Sequence, residues 1–198
     1  LEDQGQLTTL LTEKAVDFIH RNKENPFFLY LPHPMPHAPI AVSDKFKGKS
    51  EQGLYGDVIM EIDWSVGQIL QALQDNGLDE NTLVIFTSDH GFHLGEHDFW
   101  AKVSLHEESA KVPLIVAAPG KKPAVCDSFT ELLDLYPTLS KMCGLAVPDR
   151  LQGRDISGML DDPSISVRDE AFCNSGRGLL LRTDRWAYIK YKKGEEEF

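Results

Sequence analysis

Six residues offer chemistry as a set in this 198-residue sequence: His33, His37, Asp89, His90, His93 and Lys102. Asp89 and His90 follow an apolar run, Thr82 to Thr87, and precede Gly91. At a strand end, an aspartate and a histidine can give oxygen and nitrogen to one metal ion, while the glycine lets the backbone turn away. An Asx-turn or a helix N-cap uses the same residue types, and spacing alone weighs the two readings equally. His33 and His37 sit among three prolines. A rigid loop suits a proton donor or an anion-binding imidazole, and two exposed turn histidines are the plainer reading. Lys102 follows Trp100, where partial enclosure would tighten its hold on an anion. Taken alone, it reads as a solvated surface lysine. The combination is more specific than its members, because ligands of open parallel sheets bind beyond the strands' carboxyl ends.

His93-Leu94-Gly95-Glu96-His97 spells the inverted zinc-protease pattern H-x-x-E-H. That chemistry needs a helix to bring both histidines to one face. Gly91 and Gly95 argue against one, each costing about 1 kcal/mol in a helix interior. There is no G-x-S-x-G elbow, no P-loop and no G-x-G-x-x-G. Cys126, Cys143 and Cys173 lie far apart with no histidine beside them, and read as core or surface thiols.

The elements that must position these residues follow from periodicity. Residues 7–21 predict an amphipathic helix with Leu7, Leu11, Val16, Phe18 and Ile19 near one face, stopped at Asn25-Pro26. Phe27 to Leu31 is a short apolar run between breakers and predicts a buried strand, leading into the proline-rich His33–His37 loop. Residues 54–75 predict the clearest helix, ended by Asn76-Gly77. Thr82 to Thr87 and Val112 to Ala118 predict two more buried strands, and Ser128 to Cys143 a third helix capped by Gly144. Continuous apolar strands alternating with helices predict an α/β fold with a parallel sheet covered on both faces. After Pro148 the segments 170–174, 178–182 and 186–191 predict a small antiparallel meander. The expected domains are therefore 1–148 and 149–198.

Lys+Arg is 20 against Asp+Glu 31, a net charge of -11. Nucleic acid is excluded as a partner, since phosphate binding needs a basic patch. No apolar run is long enough for a membrane-spanning helix. Residues 1–20 lack the basic and apolar regions of a signal peptide.

The run Thr87 to His97, then Trp100-Ala101-Lys102, then Glu107 to Ile115, resembles the sulfatase family, in particular its iduronate 2-sulfatase branch. Pro26 to Leu31 with Met35-Pro36-His37-Ala38-Pro39 is similar to the family's second signature region, and Tyr55-Gly56-Asp57 to the segment joining the two. The resemblance implies an alkaline-phosphatase-like sheet sandwiched by helices, followed by a small antiparallel β subdomain. It implies hydrolysis of sulfate monoesters by a formylglycine, with Ca2+ beneath the sulfate. Residue by residue, Asp89 and His90 fall on calcium ligands, His37 on the histidine that meets the sulfate and the leaving oxygen, and Lys102 on the lysine that binds sulfate and helps protonate the leaving group. His33 and His93 fall nearby as candidate substrate contacts. Calcium prefers oxygen, so the nitrogen at His90 is unusual.

The C/S-x-P/A-S-R run from which formylglycine is made does not occur, nor does the family's Asp pair, which supplies the remaining calcium ligands. Cys173-Asn174-Ser175-Gly176-Arg177 has the wrong order. The expectation is a C-terminal piece of a sulfatase, inactive alone, with the formylglycine upstream of residue 1. By resemblance the substrate is a sulfated carbohydrate and the compartment exported or lysosomal. A phosphodiesterase or phosphonate hydrolase of the same superfamily, or a non-catalytic remnant, are the other readings.

Overall fold

The computed structural model describes residues 3–198. The chain forms two compact units, Leu1–Thr82 and Leu83–Phe198.

In the first unit, α1 (Leu7–Asn22) packs on α2 (Gly53–Asp75). Both helices were expected, but their seam is not the apolar stripe that periodicity indicated. The buried residues of α1 are Thr8, Thr12, Ala15 and Ile19, at helical spacing. Those of α2 include Glu61, Ser65 and Ala72. Small side chains let the helices approach, and their hydroxyls bond across the seam: Thr12 Oγ1 meets Ser65 Oγ at 2.6 Å, and Thr9 donates to Glu61 at 3.0 Å. Asn76 ends α2, and Gly77 adopts φ 66°, as its place after the helix requires.

The expected strand Phe27 to Leu31 is a correction. The segment forms no ladder among the described residues, and Phe28 and Tyr30 are 79% and 75% exposed. Exposed and half-buried residues alternate along it, so an apolar run between breakers is here neither buried nor paired. A chain reversal then follows, with His37 N–H donating to the Pro34 carbonyl at 3.1 Å.

In the second unit, β1 (Val84–Thr87) is followed by a long loop, the single-turn α3 (Glu107–Ala110) and β2 (Leu114–Ala117). β1 and β2 pair antiparallel, Phe86 opposite Ile115. The expected parallel arrangement is thus corrected for this pair. Apolar runs indicate a strand covered on both faces but carry no direction, and Phe86 and Ile115 are 38% and 60% exposed. α4 spans only Leu135–Met142 after a 3-10 turn, shorter than the expected helix. The meander is as expected: β3 (Glu170–Ser175), β4 (Gly178–Thr183) and β5 (Ala187–Tyr191) pair antiparallel in sequence order. A short β6 (Glu196–Glu197) adds to the meander beside β5.

A buried charge braces each unit from within. Asp57, 2% exposed, accepts backbone N–H bonds from Gly48, Lys49 and Ser50. The bonds from Ser50 and Gly48 outweigh burial and hold its carboxyl below the usual aspartate value. In the second unit, Arg168 (side chain 7% exposed) bridges Glu131 and the fully buried Asp134. Asp134 also accepts the N–H of Arg154 at 2.7 Å and of Glu131 at 2.8 Å.

Two outcomes follow. Because the Asp57 value is lowered on folding, its stabilisation is present above the unfolded aspartate value and is lost as pH falls through the folded one. Acid-unfolding curves of Asp57→Asn should lose that part of the low-pH dependence. Arg168→Ala strands the buried carboxylate of Asp134 and the partly buried one of Glu131, and should cost about 3–5 kcal/mol in denaturant unfolding.

Candidate functional site

The end of β1 presents the first cluster. Ser88 Oγ donates to the His90 carbonyl at 2.7 Å and closes a tight loop. Asp89 is thrown outward, its side chain 88% exposed. His90 Nδ1 lies 2.8 Å from the Gly91 carbonyl, which can only accept, so Nδ1 carries the proton. Nε2 then keeps its lone pair and sits 3.7 Å from Asp89 Oδ2. A carbonyl bond that fixes the tautomer and aims the other nitrogen is the usual support of a metal-binding histidine. Gly91 is required by contact with its surroundings. A Cβ there would stand 2.1 Å from the Glu108 carbonyl oxygen, because Gly91 N–H bonds the Ser109 carbonyl at 2.9 Å.

The loop from 92 to 106 carries Lys102. It winds around His93, which is fully buried. His93 Nδ1 faces the Glu96 carbonyl at 3.3 Å, and Nε2 faces Ser104 Oγ at 2.7 Å. The carbonyl fixes the proton on Nδ1, so Ser104 donates to Nε2 while accepting the His106 N–H at 3.2 Å. The Phe99 ring stands edge-on to His93 at 5.1 Å. Both ring nitrogens of His93 are thus engaged within the loop, where it acts as a core. The H-x-x-E-H helix does not form: Glu96–Asp98 is a 3-10 turn with His97 at φ 56°. The next turn anchors on Leu105, 1% exposed, packed with Leu180 and Ile189 of the meander. Lys102 lies half-buried between these two anchors. The rings of His97 and His106 stack at 4.3 Å, with Glu108 and Glu197 3.6 and 3.8 Å from their nitrogens. Nothing in the sequence marks this stack or the role of Ser104, since both depend on how the loop folds.

His33 and His37 belong to the first unit. His37 is exposed, with Nδ1 2.7 Å from the Ala38 carbonyl. That carbonyl can only accept, so Nδ1 carries a proton and Nε2 is the nitrogen left without a protein partner; it can donate only when the ring is the imidazolium. His33 is half-buried, with Nε2 3.3 Å from Ser65 Oγ. Burial lowers its pKa from the usual histidine value, partly offset by the Glu61 carboxylate. Ser65, His33 and Glu61 have the composition of a catalytic triad without its geometry. Ser65 is fully buried, Glu61 is bonded to Thr9 and the Ser43 N–H, and His33 Nδ1 has no partner among the described residues.

As a calcium site, Asp89 and His90 fit in kind and fall short in number. An outward carboxylate is the oxygen donor calcium prefers, and calcium takes about six to eight oxygens. No group of three or more metal-ligating side chains occurs among the described residues. No described helix is long and apolar enough to cross a membrane.

Residues 2–145 match the Sulfatase family, and residues 95–198 match the C-terminal region of N-sulphoglucosamine sulphohydrolase. The chain belongs to the sulfatase family. It is 38% identical to human steryl-sulfatase over 205 residues, covering 91% of this chain and 34% of that protein. It is 39% identical to dog N-acetylgalactosamine-6-sulfatase over 168 residues, covering 77% of this chain and 32% of that protein. A solved sulfatase from work on glycosaminoglycan metabolism in Bacteroides thetaiotaomicron superposes with a TM-score of 0.84 at 27% identity, over 95% of this chain and 44% of that one. The chain thus spans about a third of the length of these curated relatives, and its fold is the C-terminal part of the alkaline-phosphatase-like sulfatase fold.

Gly91→Ala should disrupt this site more than its size suggests. The added methyl must displace α3 or the Asp89 loop, and overpacking of this kind costs about 1–3 kcal/mol. Thermal unfolding of the pair Gly91→Ala and Gly120→Ala separates clash from backbone strain, since a Cβ at Gly120 meets nothing within 4 Å although φ is +73°.

Proposed function

We propose that this chain is the C-terminal part of a sulfuric ester hydrolase, in which it supplies part of the calcium site and the groups that stabilise the leaving oxygen. The observation that carries the reading is the presentation of Asp89 and His90 just past β1, with the carboxylate outward and Nε2 free beside it. Asp89 and His90 would hold calcium; when bound, the ion neutralises sulfate charge and polarises the sulfur–oxygen bonds. Formylglycine would come from outside the described residues. Breaking the ester builds negative charge on the leaving oxygen. His37, with Nδ1–H committed to a carbonyl, can deliver a proton only as the imidazolium and only through Nε2, returning to the neutral Nδ1–H ring, and Lys102 adds a fixed positive charge. In a chain of net charge -11, such local cations are what make an anionic substrate bindable. His93 serves by holding the Lys102 loop. The domain division is proposed as 1–148 for the α/β catalytic part and 149–198 for the start of the C-terminal subdomain.

For the substrate we propose a sulfated carbohydrate. The N-acetylgalactosamine-6-sulfatase relative and the glycosaminoglycan-metabolism structure support this, and the resemblance of the run Thr87 to His97 supports the iduronate 2-sulfatase branch. The steryl-sulfatase relative makes a sulfated sterol the natural control.

The test is sulfate release from aryl, glycosaminoglycan and steryl sulfates by the full-length enzyme containing this chain, with matched aryl phosphate and phosphonate esters. Chelator-sensitive release of sulfate is expected. Lys102→Ala and His37→Ala should each lower kcat by roughly 10²–10³-fold, the usual effect of removing one preorganised donor. Asp89→Asn should raise the calcium concentration needed for half-maximal activity. Release of phosphate or phosphonate in preference to sulfate would overturn the reading.

A further inference from the structure

We propose that His33 is a positioning residue, a neutral imidazole that pins the turn presenting His37 to the seam between α1 and α2. This rests on the sulfatase reading, in which His37 meets the sulfate.

Hydrogen-bond direction fixes the argument. Thr12 Oγ1 donates to the Thr8 carbonyl at 2.7 Å, which uses its only proton. The 2.6 Å contact between Thr12 Oγ1 and Ser65 Oγ must therefore be a donation from Ser65. Ser65 has then used its own proton, so its 3.3 Å contact with His33 can only be a donation from Nε2–H. One chain of hydroxyls, closed at a helix carbonyl, thus selects the Nε2–H tautomer of His33. Nδ1 is left as a buried lone pair without a partner among the described residues. Protonating it would create a buried N–H with nothing to accept it, in line with the lowered pKa, whose largest cause is burial. The charged group facing this ring is Glu61, itself bonded to Thr9 and the Ser43 N–H.

With one nitrogen spent on Ser65 and the other buried, His33 offers nothing to a substrate. What it holds is the start of a short span: Pro34 follows it, the Pro34 carbonyl accepts the N–H of His37 at 3.1 Å, and Met35 between them is buried with Val42, Phe46 and Val58. His37 is thus held from behind at two points, the polar one at His33 and the apolar one at Met35. The seam of α1 and α2 carries threonine and serine among its buried residues, and the anchoring of His33 gives those hydroxyls a purpose beyond close helix approach.

The full-length enzyme is used for two measurements. In the first, nitrogen–proton correlation spectra of 15N-histidine-labelled protein should show His33 as the Nε2–H tautomer, and Ser65→Ala should abolish that preference. A Nδ1–H tautomer, or a freely exchanging ring in the wild type, would overturn the proposal whether or not sulfate is hydrolysed. In the second, His33→Ala should lower kcat roughly 10- to 100-fold with KM changed less than twofold, as misplacement of a catalytic group does. His33→Gln, which keeps a donor within reach of Ser65, should recover most of that loss, and Ser65→Ala should reproduce part of it should His33→Ala fail to fold. A rise in KM at constant kcat in His33→Ala would show substrate contact instead, and equal losses in His33→Ala and His33→Gln would exclude anchoring through the donor. An active wild type with either result sinks the proposal alone; an inactive wild type with the expected tautomer sinks the sulfatase reading alone.

Discussion

The second unit depends on one buried carboxylate. Asp134 is fully buried at the start of α4 and accepts from Arg168, from the Arg154 N–H and from the Glu131 N–H. A charge in that position is tolerable only because every one of these donors is present. In meeting that need, the chain is brought back twice, at 154 and at 168. Glu131, the other partner of Arg168, also accepts the N–H of Phe172 at 2.7 Å and so fixes the first strand of the meander. Gly153 shows how closely the returning chain is drawn, since a Cβ there would lie 2.0 Å from the Leu133 carbonyl oxygen.

From this knot the reach to the chemistry is short. β3 positions β4 and β5, whose Leu180 and Ile189 enclose Leu105, three residues beyond Lys102. On the other side of Lys102, His93 fills the loop's interior. The lysine is therefore held by a polar anchor and an apolar anchor. His37, in the first unit, has the same arrangement, with His33 as the polar anchor and Met35 as the apolar one. In each case a histidine that looks catalytic by type is spent on structure beside the residue proposed to act. A neutral imidazole suits that task because it can donate at one nitrogen and accept at the other without bringing a charge into the interior.

Sequence spacing located the elements well where local rules decide them. Helices α1 and α2, the glycines that end α2 and α4, and the three long meander strands follow from periodicity and turn residues. The motif around Asp89 was legible for the same reason: a strand end, a carboxylate, a histidine and a glycine stand in consecutive positions. The antiparallel pairing of β1 and β2, the exposure of Phe28 and Tyr30, and the shortness of α4 were not legible. Pairing direction and burial depend on what lies beside a segment, and a hydrophobic run states only that it is fit to be covered.

By itself, then, the sequence determined most of the element order, the net negative charge and the small set of candidate residues. Tertiary structure decided their division of labour. His33, His37, His90 and His93 are the same side chain, and composition cannot separate them. Hydrogen-bond direction does: a carbonyl beside Nδ1 frees Nε2 of His37 and His90 outward, whereas a serine hydroxyl occupies Nε2 of His33 and His93. The carbonyls beside His37 and His90 belong to the next residue in the chain, whereas the hydroxyls beside His33 and His93 come from 32 and 11 positions away. No local rule of the chain encodes contacts of that range, because they exist only once the helices and loops have packed.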